Sequence, residues 1–227
     1  MNPDNMITIV PSYPAPDFIA LQELAEDLIG VTEEIQVDIV DGQFVEAISW
    51  PFVDSDDPVE ELLRLAELPE EIELEMDCMV LDPLQYLEMF EQIGVARVVV
   101  HYGSTSEYDS CLQHARDTGY QIGLAVLPSV RLGDVAPFIE DFDYVQVMGI
   151  EVVGAQGQPF ASEALNVIAS IKTRWPEKEV SVDGAVNAET IPALVGAGAT
   201  RLAPGSAIVK ANDRAAAFQT LNALANQ

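Results

Sequence analysis

Val180-Ser181-Val182-Asp183-Gly184-Ala185-Val186-Asn187 is a short β-rich run that breaks at an Asp-Gly turn dipeptide. A helical stretch follows it and stops at Gly198, and a further β-rich run at 201–207 comes next. Strand, helix, strand is therefore the repeating unit. The same unit runs through the whole chain, with β-rich segments at 6–11, 34–40, 71–79, 97–102, 121–127, 144–150, 180–186 and 201–207. Helical periodicity fills the gaps, as in Leu84, Leu87 and Phe90 after Asp82-Pro83, or Leu165, Ile168 and Ile171 after Ser162. Eight such units in 227 residues predict an α/β fold, a (β/α)₈ TIM barrel, as a single domain over residues 1–227. An open doubly wound sheet is the runner-up, weakened because no GxGxxG follows the first strand.

Composition narrows the partners. A hydrophobic content of 49% supports one large core. The longest apolar runs, such as Ile122 to Leu127, fall well short of a membrane span, and the polar, acidic start does not look like a signal peptide. A cytoplasmic location is the resulting expectation. Cys78 and Cys111 have no CxxC or Cys/His cluster around them, so both read as buried core or helix thiols. The balance of 38 acidic to 10 basic residues gives a net charge of −28, which opposes nucleic acid and anionic membranes. Any anion site must then be local and made of oriented backbone N–H groups. The acidity itself reads as a solubility device.

A barrel carries its chemistry at the C-terminal ends of its strands. Those positions hold Ser12, Asp38, Asp41, Asp77, Met79, His101, Met148, Asp183, Gly184, Gly205 and Ser206. Several of the segments around them resemble the ribulose-phosphate 3-epimerase family. Gln36-Val37-Asp38-Ile39-Val40-Asp41-Gly42 is similar to H-V-D-V-M-D-G, and Pro11-Ser12 to the end of A-P-S. Val182 to Asn187 is close to V-D-G-G-V-N, and Pro204 to Ile208 to A-G-S-A-I. Leu74 to Val80 with Asp82-Pro83 matches L-D-V-H-L-M-V-x-D-P, and Met148 with Gly154 to Phe160 matches M-S-V-N-P-G-F-G-G-Q-K-F with one inserted residue. The match covers nearly the whole chain in order.

The resemblance implies an isomerase that interconverts ribulose 5-phosphate and xylulose 5-phosphate through an enediolate. Asp38 and Asp183 would be its two-face acid/base pair. Ser12, Met79, Met148, Gly154, Gly157, Gly184, Gly205 and Ser206 would bind the phosphorylated sugar, the phosphate resting on backbone N–H groups. Taken singly, these residues have plainer readings: a strand-end methionine as core filler, Gly205-Ser206 as a helix cap, Asp41 as a loop cap. His101 reads first as a hydrogen-bonded structural residue. The family's metal is held by two His and two Asp, and here the histidine positions are Gln36 and Asp77. Three outcomes stay open. Asp38, Asp77, Asp183 and Gln36 could hold a divalent ion, Mn²⁺ or Mg²⁺ favoured over Zn²⁺, or no metal binds and Gln36 donates a hydrogen bond, or the chemistry has been lost or changed.

The competing readings are a noncatalytic sugar-phosphate-binding barrel and another lyase or decarboxylase of the ribulose-phosphate-binding barrels. The latter expects D-x-K-x-x-D on the third strand, whereas Glu75 to Val80 contains no lysine. Lys172, Lys178 and Lys210 are the only lysines and none ends a strand, so Schiff-base chemistry lacks its nucleophile. Oligomerisation with copies of itself is left open by the sequence.

Overall fold

In the computed structural model, residues 6–154 and 157–227 are described. The first β-rich segment is interrupted at Val10-Pro11 into β1 (Thr8–Ile9) and β2 (Ser12–Tyr13). There follow β3 (Glu34–Val40), β4 (Glu73–Met79), β5 (Arg97–His101), β6 (Gln121–Val126), β7 (Tyr144–Met148), β8 (Glu179–Asp183) and β9 (Arg201–Ala203). All pair in parallel, in the order β1-β9-β8-β7-β6-β5-β4-β3-β2. The two ends of that order are adjacent pieces of one segment, so the sheet closes on itself. Val10 N donates to Leu202 O at 2.9 Å on one side, and Gln36 N donates to Pro11 O at 2.8 Å on the other. The expected eight-stave barrel is what the chain forms.

Several staves stop earlier than their β-rich sequence suggests. The run at 180–186 ends at Asp183 because Gly184 (φ 93°) and Ala185 (φ 54°) turn the chain into left-handed conformations. The run at 201–207 ends at Ala203, and Ser206–Val209 becomes a one-turn helix, α8 in the chain order given next.

The helical layer comprises α1 (Phe18–Asp27), α2 (Pro58–Leu62) with a 3₁₀ turn at Leu63–Glu67, α3 (Leu84–Ile93), α4 (Tyr108–Thr118), α5 (Leu132–Ile139), α6 (Glu163–Arg174), α7 (Ile191–Ala197), α8 (Ser206–Val209) and α9 (Arg214–Ala225). Gly94, Gly119 and Gly198 end α3, α4 and α7, as expected. Among the described residues, no helix is long and apolar enough to cross a membrane. Cys78 and Cys111 are buried and unpaired.

Two faces of each stave enter two cores, as the period of two requires. On β3, Ile35, Val37 and Ile39 join the large cluster between sheet and helices, while Val40 faces the barrel axis with Met79, Val99, Ala125, Tyr144, Met148 and Val153. The axis is also polar to an unusual degree for this architecture, whose centre is ordinarily filled by branched aliphatic residues. Gln36, Asp38, Glu75, Asp77, His101, Gln146, Ser181, Asp183 and Arg201 are all buried. Toward the N-terminal end of the staves, Glu75 contacts Arg97 at 2.8 Å and Arg201 at 2.9 Å, and Arg97 stacks 4.0 Å above the Tyr144 ring. Glu179 and Glu34 pair with the outer sides of Arg97 and Arg201. Tyr144 fits because its neighbour is Gly123, where a Cβ would sit 2.3 Å from the ring.

With these cations committed to the base, the acidic excess of the net −28 charge lies chiefly on the surface, where mutual repulsion opposes the folded state and salt screens it. The melting temperature is expected to rise by several degrees between dilute buffer and about 1 M KCl, where the Debye length shrinks to about 3 Å. Differential scanning calorimetry across that range checks this, and a flat or falling profile would show the surface charge to be harmless.

Candidate functional site

The strand-end residues are delivered to one mouth by the alternation just described. Asp38 lies two residues before the end of β3, Asp183 is the last of β8, and Ser12 opens β2 between them. In the closed order β8 and β3 are separated by β9 and the split first stave. Ser12 Oγ donates to Asp183 Oδ1 at 3.2 Å, tying the seam to one carboxylate.

A cavity of about 340 Å³ opens at this mouth. Ser12, Asp38, Met79, Gly154, Gly157, Asp183, Gly184, Gly205 and Ser206 all line it. Met148 does not; it is fully buried in the axial cluster, the place of a core filler rather than of a ligand contact. Ala155 and Gln156 of the glycine-rich loop lie outside the described residues. Asp41 caps its loop, accepting from Gln43 N at 2.8 Å, Phe44 N at 3.0 Å and Leu81 N at 2.9 Å.

One wall is backbone. Gly184 approaches Ile150 so closely that a Cβ would fall 2.8 Å from its Cγ1, and a Cβ on Gly205 would fall 3.2 Å from Ser12 O and Oγ. Asn187 orders the segment after Gly184 by accepting from Glu189 N at 2.8 Å and donating to Ala185 O at 3.1 Å. Among the described residues the lining contains neither lysine nor arginine, and Glu189 adds a negative charge. Because α8 is only four residues long, its dipole is small, and an anion placed here would have to be held by individual N–H groups.

The carboxylates themselves are crowded. Burial, then the charges of Asp183 and Asp77, hold the Asp38 carboxyl well above the ordinary range, with Gln36 pulling the other way. Burial and the Asp77 charge push Asp183 up to about 8, opposed by hydrogen bonds from Ser12 and the Gly184 backbone. Asp77 sits out of reach of the cavity, fully buried below it.

The divalent cation implied by the resemblance would meet oxygens from Asp38, Asp77, Asp183 and Gln36, a hard donor set. The arrangement does not fit it. Asp77 Oδ1 lies 2.8 Å from His101 Nε2, and Oδ2 accepts from Gln146 Nε2 at 2.7 Å and from Gln36 Nε2 at 3.4 Å. Gln36 also donates to Asp38 Oδ1 at 2.8 Å. It thus offers nitrogen to the carboxylates, while its Oε1 is buried without a partner among the described residues. Among the described residues, no three His, Cys, Asp or Glu side chains are grouped to hold a metal. Of the four residues the sequence offered as ligands of one ion, Gln36, Asp38 and Asp77 are joined by bonds among themselves, and Asp183 is bonded to Ser12.

Sequence reasoning left out Gln146, Asn187 and Thr190. Asn187 was within a quoted motif and Thr190 starts a helix, but Gln146 announces itself only as a polar residue inside the apolar run Tyr144 to Met148.

Fold and site together define a (β/α)₈ barrel with a carboxylate-bearing cavity at the C-terminal face of its staves. Residues 8–209 match the sequence profile of the ribulose-phosphate 3 epimerase family, and the chain belongs to that family. Among its relatives are the ribulose-phosphate 3-epimerases of Schizosaccharomyces pombe, 29% identical over 89% of this chain and 87% of that one, and of Bacillus subtilis, 29% identical over 95% and 98%. The ribulose-phosphate 3-epimerase of Mycobacterium bovis is 30% identical over 94% of this chain and 90% of its own. Two solved structures share the fold. KGPDC from Streptococcus mutans superposes with a TM-score of 0.76 at 11% identity, covering 96% of this chain and 97% of that one. The 3-hexulose-6-phosphate synthase of Salmonella typhimurium gives 0.72 at 13%, covering 96% and 98%.

Because the folded state retains a proton on Asp183 that the unfolded chain releases, this group's contribution to stability is lost as pH rises from 3.8 toward about 8. Asp183→Asn removes that loss. The variant is expected to melt a few degrees above the parent at pH 8 and to converge with it near pH 4, as thermal denaturation at both values would read out.

Proposed function

We propose that the chain is a ketose-phosphate 3-epimerase, acting on ribulose 5-phosphate and xylulose 5-phosphate, with Asp38 and Asp183 as its acid/base pair. The observation that carries this reading is the presence of both carboxylates on the wall of one cavity, on staves set apart by the seam of the barrel. Epimerisation removes the proton on the carbon beside the ketone from one face and returns one to the other, which calls for one base and one acid on opposite sides. Burial raises both carboxyls, so near neutral pH the pair retains a proton and can supply both roles. In each turnover one Asp accepts the carbon-bound proton while its partner donates. Ser12, donating to Asp183 Oδ1, holds that carboxyl in place at the cavity wall.

The phosphate is assigned to the backbone wall at Gly157, Gly184, Gly205 and Ser206, with Gly154 and Met79 bounding the sugar. This division favours an enzyme over a noncatalytic binder, since a binder has no need of two buried carboxyls facing its ligand. Residues 1–227 act in this reading as one domain, in the cytoplasm, on a small phosphorylated sugar.

Asp38→Asn and Asp183→Asn are each expected to lower kcat by ~10²–10⁴-fold, and the double variant by little more than either single one. Binding of ribulose 5-phosphate should survive both changes. Gly205→Val should instead weaken binding, because its side chain would enter the space beside Ser12. Coupled epimerase assays and calorimetric titration separate the two effects. Exchange of the substrate's carbon-bound hydrogen with deuterated solvent, followed by NMR, tests the proton transfer directly; a parent showing neither turnover nor exchange would overturn the assignment.

A further inference from the structure

We infer that this protein holds its reacting carboxylates without a divalent cation, and that Gln146, acting through Asp77, is a positioning residue in the cation's stead. The inference rests on the epimerase reading for its kinetic consequence, though not for its binding test. Three carboxylates gathered in a barrel axis repel one another, and the common remedy is an ion that all of them ligate. Here the remedy is a set of neutral or ring N–H and O–H donors. Gln36 reaches both Asp38 and Asp77, Gln146 and His101 reach Asp77, and Ser12 reaches Asp183.

Gln146 is the least expected member. It projects from β7, four staves from β3, into a layer that branched aliphatics ordinarily fill. It is fully buried, and its Oε1 has no partner among the described residues. Burying a primary amide with one end unsatisfied is costly, because the stripped polar group gets back none of the bonds it made to water. Such a residue persists where its other end does something an aliphatic could not, and its Nε2 lies 2.7 Å from Asp77 Oδ2. The result is a continuous tie, Gln146 to Asp77 to Gln36 to Asp38, that crosses the barrel beneath the cavity floor and fixes the position of Asp38. An ion ligated by Asp77 would have to break it.

Two measurements test this. The EDTA-treated parent is titrated with Mn²⁺ in high salt, which suppresses diffuse binding to the acidic surface, and bound ion is counted by electron paramagnetic resonance. No saturable site is expected; a one-to-one site that disappears in Asp77→Asn overturns the inference whether or not the protein turns over ribulose 5-phosphate. Second, kcat and KM are measured with EDTA and with Mn²⁺ for the parent and for Gln146→Met, which keeps the volume and removes the donor. The parent's rate should be the same in both conditions, and activity that depends on Mn²⁺ counts against the inference. Gln146→Met should lose kcat by ~10–100-fold with KM and melting temperature little changed, and Mn²⁺ should not restore it. An unchanged kcat overturns the role given to Gln146. If the parent fails to exchange or epimerise in either condition, the epimerase reading fails, and the Mn²⁺ titration alone decides the question of the cation.

Discussion

Closure of the sheet through residues 8–13 is the constraint on which the rest depends. This short segment is shared between two neighbours. Thr8 and Ile9 pair with β9, then Pro11 interrupts the ladder, and Ser12 and Tyr13 pair with β3. Proline suits the crossover because it lacks the N–H that a continuous strand would have to place, while its carbonyl still accepts from Gln36 N. That single bond helps to set the register of β3. A slip of one residue would turn Gln36 and Asp38 out toward the helices and bring Val37 and Ile39 to the axis. The seam also delivers Ser12 to the mouth, so the place where the barrel closes is the place where its polar floor begins.

Above the closure, the axis is divided by charge. Glu75, Arg97 and Arg201 form a compensated layer at the base, and the aspartates form an uncompensated one near the mouth. Burial of the first is tolerable because each charge meets an opposite one within contact distance. Burial of the second raises proton affinity instead, which turns acidic side chains into groups able to give and take protons near neutrality. Tyr144 and Gly123 belong to the lower layer and show how tightly the volume is apportioned: one ring fits only where its neighbour has no side chain.

Much of this was legible beforehand. The eight β-rich runs, the glycines that end helices and the Asp-Gly turn after β8 are local signals, and they gave the barrel and the position of its mouth. Asp38, Asp183 and the glycine wall followed from motif order. Stave ends were less legible, because 184–186 has strand-like composition while Gly184 and Ala185 adopt left-handed backbone that only the packing of Ile150 and Gly149 makes apparent. The axial network was illegible for a different reason. Gln36, Asp77, His101 and Gln146 lie on four separate staves, β3, β4, β5 and β7, and hydrogen bonds between residues 24 to 69 positions apart leave no trace in spacing. Met148 shows the converse, a motif position whose side chain ends in the core.

The anion wall carries a consequence for the conditions in which the molecule can work. A pocket that gathers a phosphate with lysine or arginine loses affinity as mobile ions accumulate, since part of its attraction is long-ranged and is screened. A pocket whose donors are peptide N–H groups acts only at contact, inside the distance over which dissolved ions can intervene. The acidic exterior and the cation-free lining of the described residues therefore suit the same medium: in the epimerase reading, concentrated electrolyte would quiet the repulsion between surface and ligand while leaving contact-range binding beside Gly205 and Ser206 unscreened.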